Sequence, residues 1–524
     1  MNFYRYRLEI SIGRRATMTN VILIMTDQQR ADSLGCTGNP VVKTPNVDEL
    51  ASRGAVFQNH YTPHQICSPS RATLFSGLFA RHHGLTRNGV ALPEEIPLIS
   101  HDLKEAGYTT HGVGKFHFQP ILAGPAHRMP DSNAFWELPE SKEWNGPFFG
   151  FETVDILIGE SVSATKGGHY ASWLKKTAPE AIELFLPENA LEPGPADCDE
   201  IWKSAVPEEL HYNSWIADRA CDFISGVDVS NPFFLFVSFP DPHHPFAPPA
   251  PWCDMYDPAD MPTPDVLENE LELMPSYISE SDSQSGGKSY VDFLREPGPP
   301  REQGFMQTTH DLSDASLKLA MAHTYGMVSM IDDRVGQILA ALDARGLTED
   351  TLVIFTSDHG ELLGDHSLIR KGPVPYRQLL NVPLIVAGPN VEPGTRVQLT
   401  SHLGLKATLL AHLGVEGDFG DGTPFANILS DSHAKTQDHL LAEYHARTRP
   451  ETYNQSLIAK DWRLTLYANN PAWGELFDLK TDPGEHRNLY YNSDYASVRE
   501  KLTGKLLQDF KPAPEAGGPS IATY

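Results

Sequence analysis

Val21-Ile22-Leu23-Ile24-Met25-Thr26-Asp27-Gln28 is an unbroken apolar run that stops at a carboxylate and an amide. A run this short, rich in branched aliphatic residues, suits a strand buried on both faces. Two further runs share its character, 233–239 and 352–356, and the latter is followed closely by Asp358-His359. Helical spacing of apolar residues appears over 47–52, 99–106, 317–344 and 403–413. Strand alternating with helix predicts an α/β fold around a large, mostly parallel sheet flanked by helices. In open sheets of this kind, ligands gather beyond the carboxyl ends of the strands. Neighbouring residues in a strand point to opposite faces. Asp27 with Gln28, and Asp358 with His359, can therefore share a site only where the chain leaves the sheet. Two carboxylates, an amide oxygen and an imidazole suit a divalent cation such as Ca²⁺, Mn²⁺ or Mg²⁺. The plainer reading of each pair is a turn or helix-capping aspartate, and spacing alone does not choose between them.

Cys67-Ser68-Pro69-Ser70-Arg71-Ala72-Thr73 reads as a helix start, with serine as cap and proline in the first turn. Cys67 then stands where backbone N–H groups and the helix dipole favour an anion. Arg71, four residues on, can return to the same face. A lone cysteine is ordinarily a small buried hydrophobe, but the polar company here argues for chemistry.

The 524 residues carry a net charge of −27, which excludes nucleic acid and anionic membranes as partners because both need a basic face. An anionic substrate would need a local cationic pocket. Five scattered cysteines without a C-x-x-C pair fit a reducing compartment. The first 20 residues hold four arginines and no apolar core, and no run reaches membrane-span length. The expectation is a cytoplasmic protein, with residues 1–17 an extension and Met18 the alternative start to Met1. A catalytic domain is expected over 18–430 and a small α+β subdomain with a polar tail over 431–524. The short strands 462–467 and 475–478 belong to the latter. From Ala220 to Gly287 there are twelve Asp and Glu and no Lys or Arg. An acidic insertion is placed at about 250–305, either a solvated irregular segment or a lid offering Trp252 and Tyr256 to a cationic substrate.

Five blocks in order make a family resemblance specific. Cys67-Ser68-Pro69-Ser70-Arg71 with Ser76-Gly77 resembles the C-x-P-x-R signature of type I sulfatases, whose cysteine is oxidised to formylglycine. Gly114-Lys115-Phe116-His117, Pro242-His243-His244-Pro245-Phe246, and Ser357-Asp358-His359-Gly360-Glu361 with Gly364-Asp365-His366 are similar to further family blocks. So is the stretch from Glu475 through Asp482-Pro483 and Glu485 to Leu489. The similarity covers about residues 19–490, nearest to arylsulfatase, choline-sulfatase and phosphonate monoester hydrolase members.

The resemblance implies an alkaline-phosphatase-like fold and hydrolysis of a small organic sulfate. It implies Asp27, Gln28, Asp358 and His359, with the modified Cys67, as ligands of one divalent metal, Ca²⁺ favoured over Mn²⁺. Arg71 would orient the hydrated aldehyde, and Lys115, Lys371 and His243 would bind the ester anion. Asn88 would contact the same anion, and His117 would take the proton that releases sulfate. Lys371 alone also reads as a solvated loop lysine, and His244 competes with His243 by register. His60, His64 and His366 are expected to line the pocket or stand behind it. A formylglycine-generating maturation enzyme is the implied protein partner, and a homo-oligomer is expected, its tail from about Pro512 reaching a neighbouring subunit. Gln28 stands where many sulfatases have a second aspartate, which leaves the metal between Ca²⁺ and Mn²⁺ and keeps phosphonate monoester and phosphodiester hydrolysis open. Gly404 replaces a frequent aspartate outside the catalytic set. A non-catalytic anion-binding protein is the remaining alternative, and the intact ligand set counts against it.

Overall fold

The computed structural model describes residues 19–278, 306–445, 449–510 and 520–522. Eight strands form the main sheet: β1 (Asn20–Thr26), β2 (Gly54–Phe57), β3 (Thr109–Lys115), β4 (Thr153–Leu157), β5 (Phe233–Ser238), β6 (Thr351–Ser357), β7 (Leu384–Ala387) and β8 (Gly394–Arg396). Their order across the sheet is β8-β2-β7-β6-β1-β5-β3-β4. All neighbours run parallel except β7, which is antiparallel to both β2 and β6. Every residue of β1, β5 and β6 is buried, as continuous apolar runs covered on both faces require.

Six helices matter below: α1 (Pro45–Ser52), α2 (Cys67–Ser76), α3 (Tyr212–Gly226), α4 (Asp314–Ala344), α5 (Leu405–Leu413) and α6 (Ala496–Asp509). The long α4 packs on α3 and α1, whereas α2 packs on α5 and on the helix Ile99–Glu105. Each helix inferred from apolar spacing is present, with ends moved by up to three residues because caps, not apolar spacing, set them. One such end is a correction: Ile66, not Ser68, caps α2, so Cys67 is its first residue and Pro69 follows two positions later.

The C-terminal part is a four-stranded antiparallel sheet of β9 (His439–Tyr444), β10 (Asn454–Ala459), β11 (Trp462–Tyr467) and β12 (Gly474–Asp478). Leu502 and Leu506 of α6, with Phe510, close its core against Leu457, Leu464 and Leu476. The strands inferred at 462–467 and 475–478 are β11 and most of β12. The tail at 511–519 lies outside the described residues, but Ile521 and Ala522 donate to the Gly89 carbonyl of the same chain at 2.8 and 3.2 Å.

The acidic segment is irregular where described, and residues 279–305 lie outside the description. The two rings named for a cationic substrate, Tyr256 and Trp252, are both engaged within the chain. Tyr256 is buried, its hydroxyl 2.6 Å from Ser329 Oγ and taking the Lys43 N–H at 2.8 Å, and Lys43 Nζ lies 5.9 Å from its ring centre. Trp252 Nε1 donates to Glu208 at 3.2 Å. All five cysteines are unpaired. Among the described residues no helix is long and apolar enough to cross a membrane.

Candidate active site

Four adjacent parallel strands, β6, β1, β5 and β3, end on one edge of the sheet and deliver the chemistry there. Asp27 and Gln28 follow β1, Asp358 and His359 follow β6, His243 and His244 follow β5, and Lys115 ends β3 with His117 just beyond. Gln28 and His117 take left-handed backbone angles, φ 65° and 58°, which turn the chain out of the sheet at each place. Gly114 (φ 98°) allows β3 to approach β5: a Cβ there would lie 2.0 Å from the Ser238 carbonyl oxygen. The first turn of α2 brings Cys67 to the same edge, fully buried.

Cys67 Sγ lies 3.2 Å from His359 Nε2, 3.7 Å from Asp27 Oδ1 and 3.1 Å from Lys371 Nζ. Lys371 also donates to Gln28 Oε1 at 2.7 Å. Its place is therefore not that of a solvated loop lysine. The guanidinium of Arg71 does not turn to Cys67. It donates from Nε to Asp358 Oδ2 at 2.8 Å and from Nη2 to Asp27 Oδ2 at 3.1 Å. Nη1 donates to the Lys115 carbonyl and to Ser238 Oγ. Arg71 is thus a positioning residue that fixes both carboxylates, and their Oδ1 atoms remain on the cysteine side.

The donor set fits a divalent ion. Single ligand atoms from Asp27, Cys67, Asp358 and His359 all lie within 4.8 Å of one another. The His359 tautomer follows from its neighbours: Nδ1–H donates to the Gly360 carbonyl at 2.8 Å, leaving the Nε2 lone pair toward Cys67. Burial lowers the His359 pKa to about 4, so the ring is neutral as a ligand must be. Gln28 Nε2 contacts Glu361 Oε2 and lies 2.9 Å from His244 Nδ1, so its carbonyl oxygen is the atom left on the Lys371 side.

Charge is arranged around this set. Burial opposes ionisation of Asp27, yet the cations Lys115, Arg71 and Lys371 together hold its pKa well below the usual carboxylate range. Burial likewise opposes the charge on Lys115, and Asp27 and Glu160, each 2.8 Å from Nζ, outweigh it and raise the ammonium pKa. His117 and His243 are held well below 6.5 by burial, helped by Lys115 and Lys371 respectively, and so are neutral. Protein groups alone push the Cys67 thiol up to about 12, through burial and then Asp27. Asn88 Oδ1 accepts the Ser68 N–H at 3.3 Å, beside the first turn of α2.

Two carboxylates were not singled out from the sequence. Glu160, three residues past β4, is buried against Lys115, and a carboxylate just beyond a strand end was the available signal. Glu361 sat inside a quoted block without a role, and it grips the Gln28 amide. Of the further histidines, His60 lies 2.8 Å from His402, which bonds the Ser357 carbonyl behind β6. His64 Nδ1 accepts the Ile66 N–H at the start of α2. His366 instead joins a different cluster with Glu270 and His486.

Carboxylates, a neutral imidazole and an amide around one side chain at a helix N-terminus, with three cations close by, define a hydrolytic centre for an anionic ester. The sulfatase family model matches residues 19–415, and the model for the N-sulphoglucosamine sulphohydrolase C-terminal region matches 364–511. An arylsulfatase of Clostridium perfringens is 28% identical over 510 residues, 95% of each chain. The multifunctional alkaline phosphatase superfamily protein PehA of Trinickia caryophylli is 30% identical, covering 94% of this chain and 95% of its own. The phosphonate monoester hydrolase of Agrobacterium radiobacter superposes with a TM-score of 0.76 at 26% identity, covering 94% of this chain and 95% of that one. The chain belongs to the sulfatase family of the alkaline phosphatase superfamily and is by class a sulfuric ester hydrolase.

Proposed function

We propose that the protein hydrolyses a sulfate monoester at residue 67, as formylglycine made from Cys67, releasing inorganic sulfate and an alcohol or phenol. The observation that carries this reading is the position of Cys67 Sγ among His359, Asp27 and Lys371, at the first turn of α2. The aldehyde hydrate offers one hydroxyl to sulfur and a second whose deprotonation expels sulfate and restores the aldehyde. Asp27, Gln28, residue 67, Asp358 and His359 would hold one divalent ion. That ion, Ca²⁺ or Mn²⁺, would supply Lewis-acid stabilisation of the ester oxygens.

The chain's own groups divide the remaining work. Lys115 and Lys371 provide the local positive potential that the −27 global charge lacks. His243 and Asn88 would orient the ester anion. His117, neutral, is the acceptor for the proton of the second hydroxyl. A maturation enzyme must reach the Cys67 segment before the fold buries it. The catalytic unit on this reading is 18–430, with the C-terminal sheet as its subdomain and residues 1–17 outside both.

A second reading is phosphonate monoester or phosphodiester hydrolysis by the same groups. Gln28, an amide where many relatives carry a carboxylate, and the superposition on a phosphonate monoester hydrolase favour keeping it. Sulfate monoesters, phosphonate monoesters and phosphodiesters all carry one negative charge, so site electrostatics do not separate them. Parallel assays with an aryl sulfate and a phenyl phosphonate monoester do. The sulfate reading expects the higher kcat/KM for the aryl sulfate, and the reverse order overturns it. Peptide mass mapping around residue 67 tests the nucleophile, and an unmodified thiol in fully active protein would sink the formylglycine mechanism.

A further inference from the structure

A second cluster of ligating side chains lies away from Cys67, where three distant segments meet. Glu270 Oε1 is 2.5 Å from His366 Nδ1 and 3.0 Å from His486 Nδ1. On the far side of each ring, His486 Nε2 is 3.0 Å from Asp265 Oδ2, and His366 Nε2 is 3.3 Å from Gln378 Oε1. With the N–H of each ring at Nε2, facing these oxygens, the Nδ1 atoms are available as ligands. A neutral imidazole has a single N–H, so each Nδ1 then presents a lone pair to the Glu270 oxygen. Two nitrogen lone pairs and a carboxylate oxygen repel one another unless a cation lies among them.

A proton on either Nδ1 or one metal ion supplies that cation. Glu270 and His366 are almost wholly enclosed, with 0% and 1% side-chain exposure, and the two ring centres are 5.0 Å apart. A proton on one Nδ1 joins Glu270 to that ring alone. A single divalent ion satisfies all three atoms at once. We propose that Glu270, His366 and His486 form a structural metal site of the zinc class, with Asp265 and Gln378 holding the rings from behind. Two imidazoles and a carboxylate are borderline donors that suit Zn²⁺, and an outer acceptor on each ring is the usual support for such ligands. His486 is partly exposed, which gives an ion a way in. Gly484 makes room for it: a Cβ there would lie 2.4 Å from His486 Nε2 and 3.0 Å from Asp265 Oδ2.

The position gives the site a role. His366 lies in the loop between Glu361 and Lys371, whose ends contact Gln28 and Cys67. Glu270 comes from the acidic segment and His486 from the C-terminal part. An ion here ties both to the loop that presents Lys371. This goes beyond the sulfate-ester reading and does not depend on it.

The test uses the full-length chain, stripped by a chelator and reloaded with Zn²⁺, in wild type and in His486→Asn and Asp358→Asn variants. Metal content by mass spectrometry and the zinc-dependent Tm shift are measured, with Co²⁺ absorption reporting ligand geometry. Asp358→Asn should keep one zinc and its Tm shift, whereas His486→Asn should hold one zinc fewer than wild type and lose that shift, with binding at this site at least about tenfold weaker. Should His486→Asn fold poorly by circular dichroism, Glu270→Gln, which keeps size and shape, gives the same readout. Equal zinc content in wild type and His486→Asn, or no zinc beyond what Asp358→Asn removes, overturns the proposal and leaves the two rings simply hydrogen-bonded to Glu270. Loss of ester hydrolysis in Asp358→Asn with zinc retained keeps the two readings separate.

Discussion

Arg71 and Arg463 are two buried guanidinium groups that each bridge two carboxylates, and they serve opposite ends. Arg71 joins Asp358 and Asp27 at 2.8 and 3.1 Å, and Arg463 joins Glu485 and Glu475 at 2.7 and 3.4 Å. Around Arg463 the cluster is closed off. Its guanidinium lies 4.6 Å from the Phe477 ring centre, and the hydroxyls of Tyr376 and Tyr467 both donate to Glu475. Around Arg71 only one side is closed. The Oδ1 atoms of Asp27 and Asp358 stay on the side of His359 and Cys67. What separates the two clasps is Asp27 Oδ1, which faces Cys67 Sγ at 3.7 Å and His359 Nε2 at 3.6 Å, while Asp358 Oδ1 accepts the N–H groups of Gln28 and His359 at 3.1 and 2.8 Å.

Replacing each arginine with methionine presses hardest on this contrast. Arg71→Met should lower kcat by about 10³-fold or more, since both carboxylates lose the donor that aims them. Arg463→Met should cost about 3–5 kcal/mol of stability, the usual result of stripping the cation from a buried pair, with kcat per folded molecule nearly unchanged. Urea titration and steady-state kinetics on the folded fraction read the two quantities separately. A kcat loss in Arg463→Met equal to that in Arg71→Met would erase the distinction.

The same contrast explains what the sequence disclosed. Asp27, Asp358 and His359 were legible because a chemical residue just past a buried strand has few places to go. Lys371 carried no such mark. It follows β6 by 14 residues through a loop with left-handed turns at Leu363, His366, Ser367 and Arg370, and loop geometry of that kind is not written in apolar spacing. The Glu270–His366–His486 cluster was illegible for a stronger reason, because its members sit 96 and 120 residues apart on irregular segments. Arg71 was found by its spacing but read as facing residue 67, since helical period gives a face and not the reach of a guanidinium. Lys371→Ala is the next sharpest probe: kcat should fall by about 10²–10³-fold, as for loss of one fixed donor to a developing anion. Lysine to methionine should do the same if charge is what matters, and retained rate in either variant would leave Lys371 a buried structural contact of Gln28 and Cys67 without a part in the rate.

Arg81 and Glu443 form a third clasp, which ties the helix Ala80–His83 to β9 of the C-terminal sheet. Arg81 Nε donates to Glu443 Oε2 at 2.7 Å, and the Arg81 N–H donates to Oε1 at 3.1 Å. Burial alone would raise the Glu443 pKa, but His445 and then Arg81 pull it down to about 2. A carboxylate depressed in the folded state stabilises the protein above its unfolded pKa of about 4.5, and that contribution fades as pH falls toward 2. At one pKa unit per 1.36 kcal/mol, a depression from 4.5 to about 2 makes the full contribution about 3 kcal/mol. Glu443→Gln should therefore be less stable than wild type by about that amount at pH 7, with the gap closing between pH 4.5 and 2. Chemical denaturation at stepped pH measures the gap. Because Glu443 is engaged on both oxygens, like Glu475 and unlike Asp27, the variant should leave kcat of the folded enzyme unaltered. A gap that stays constant across that pH window would show that the clasp draws its strength from packing rather than from the ionised pair.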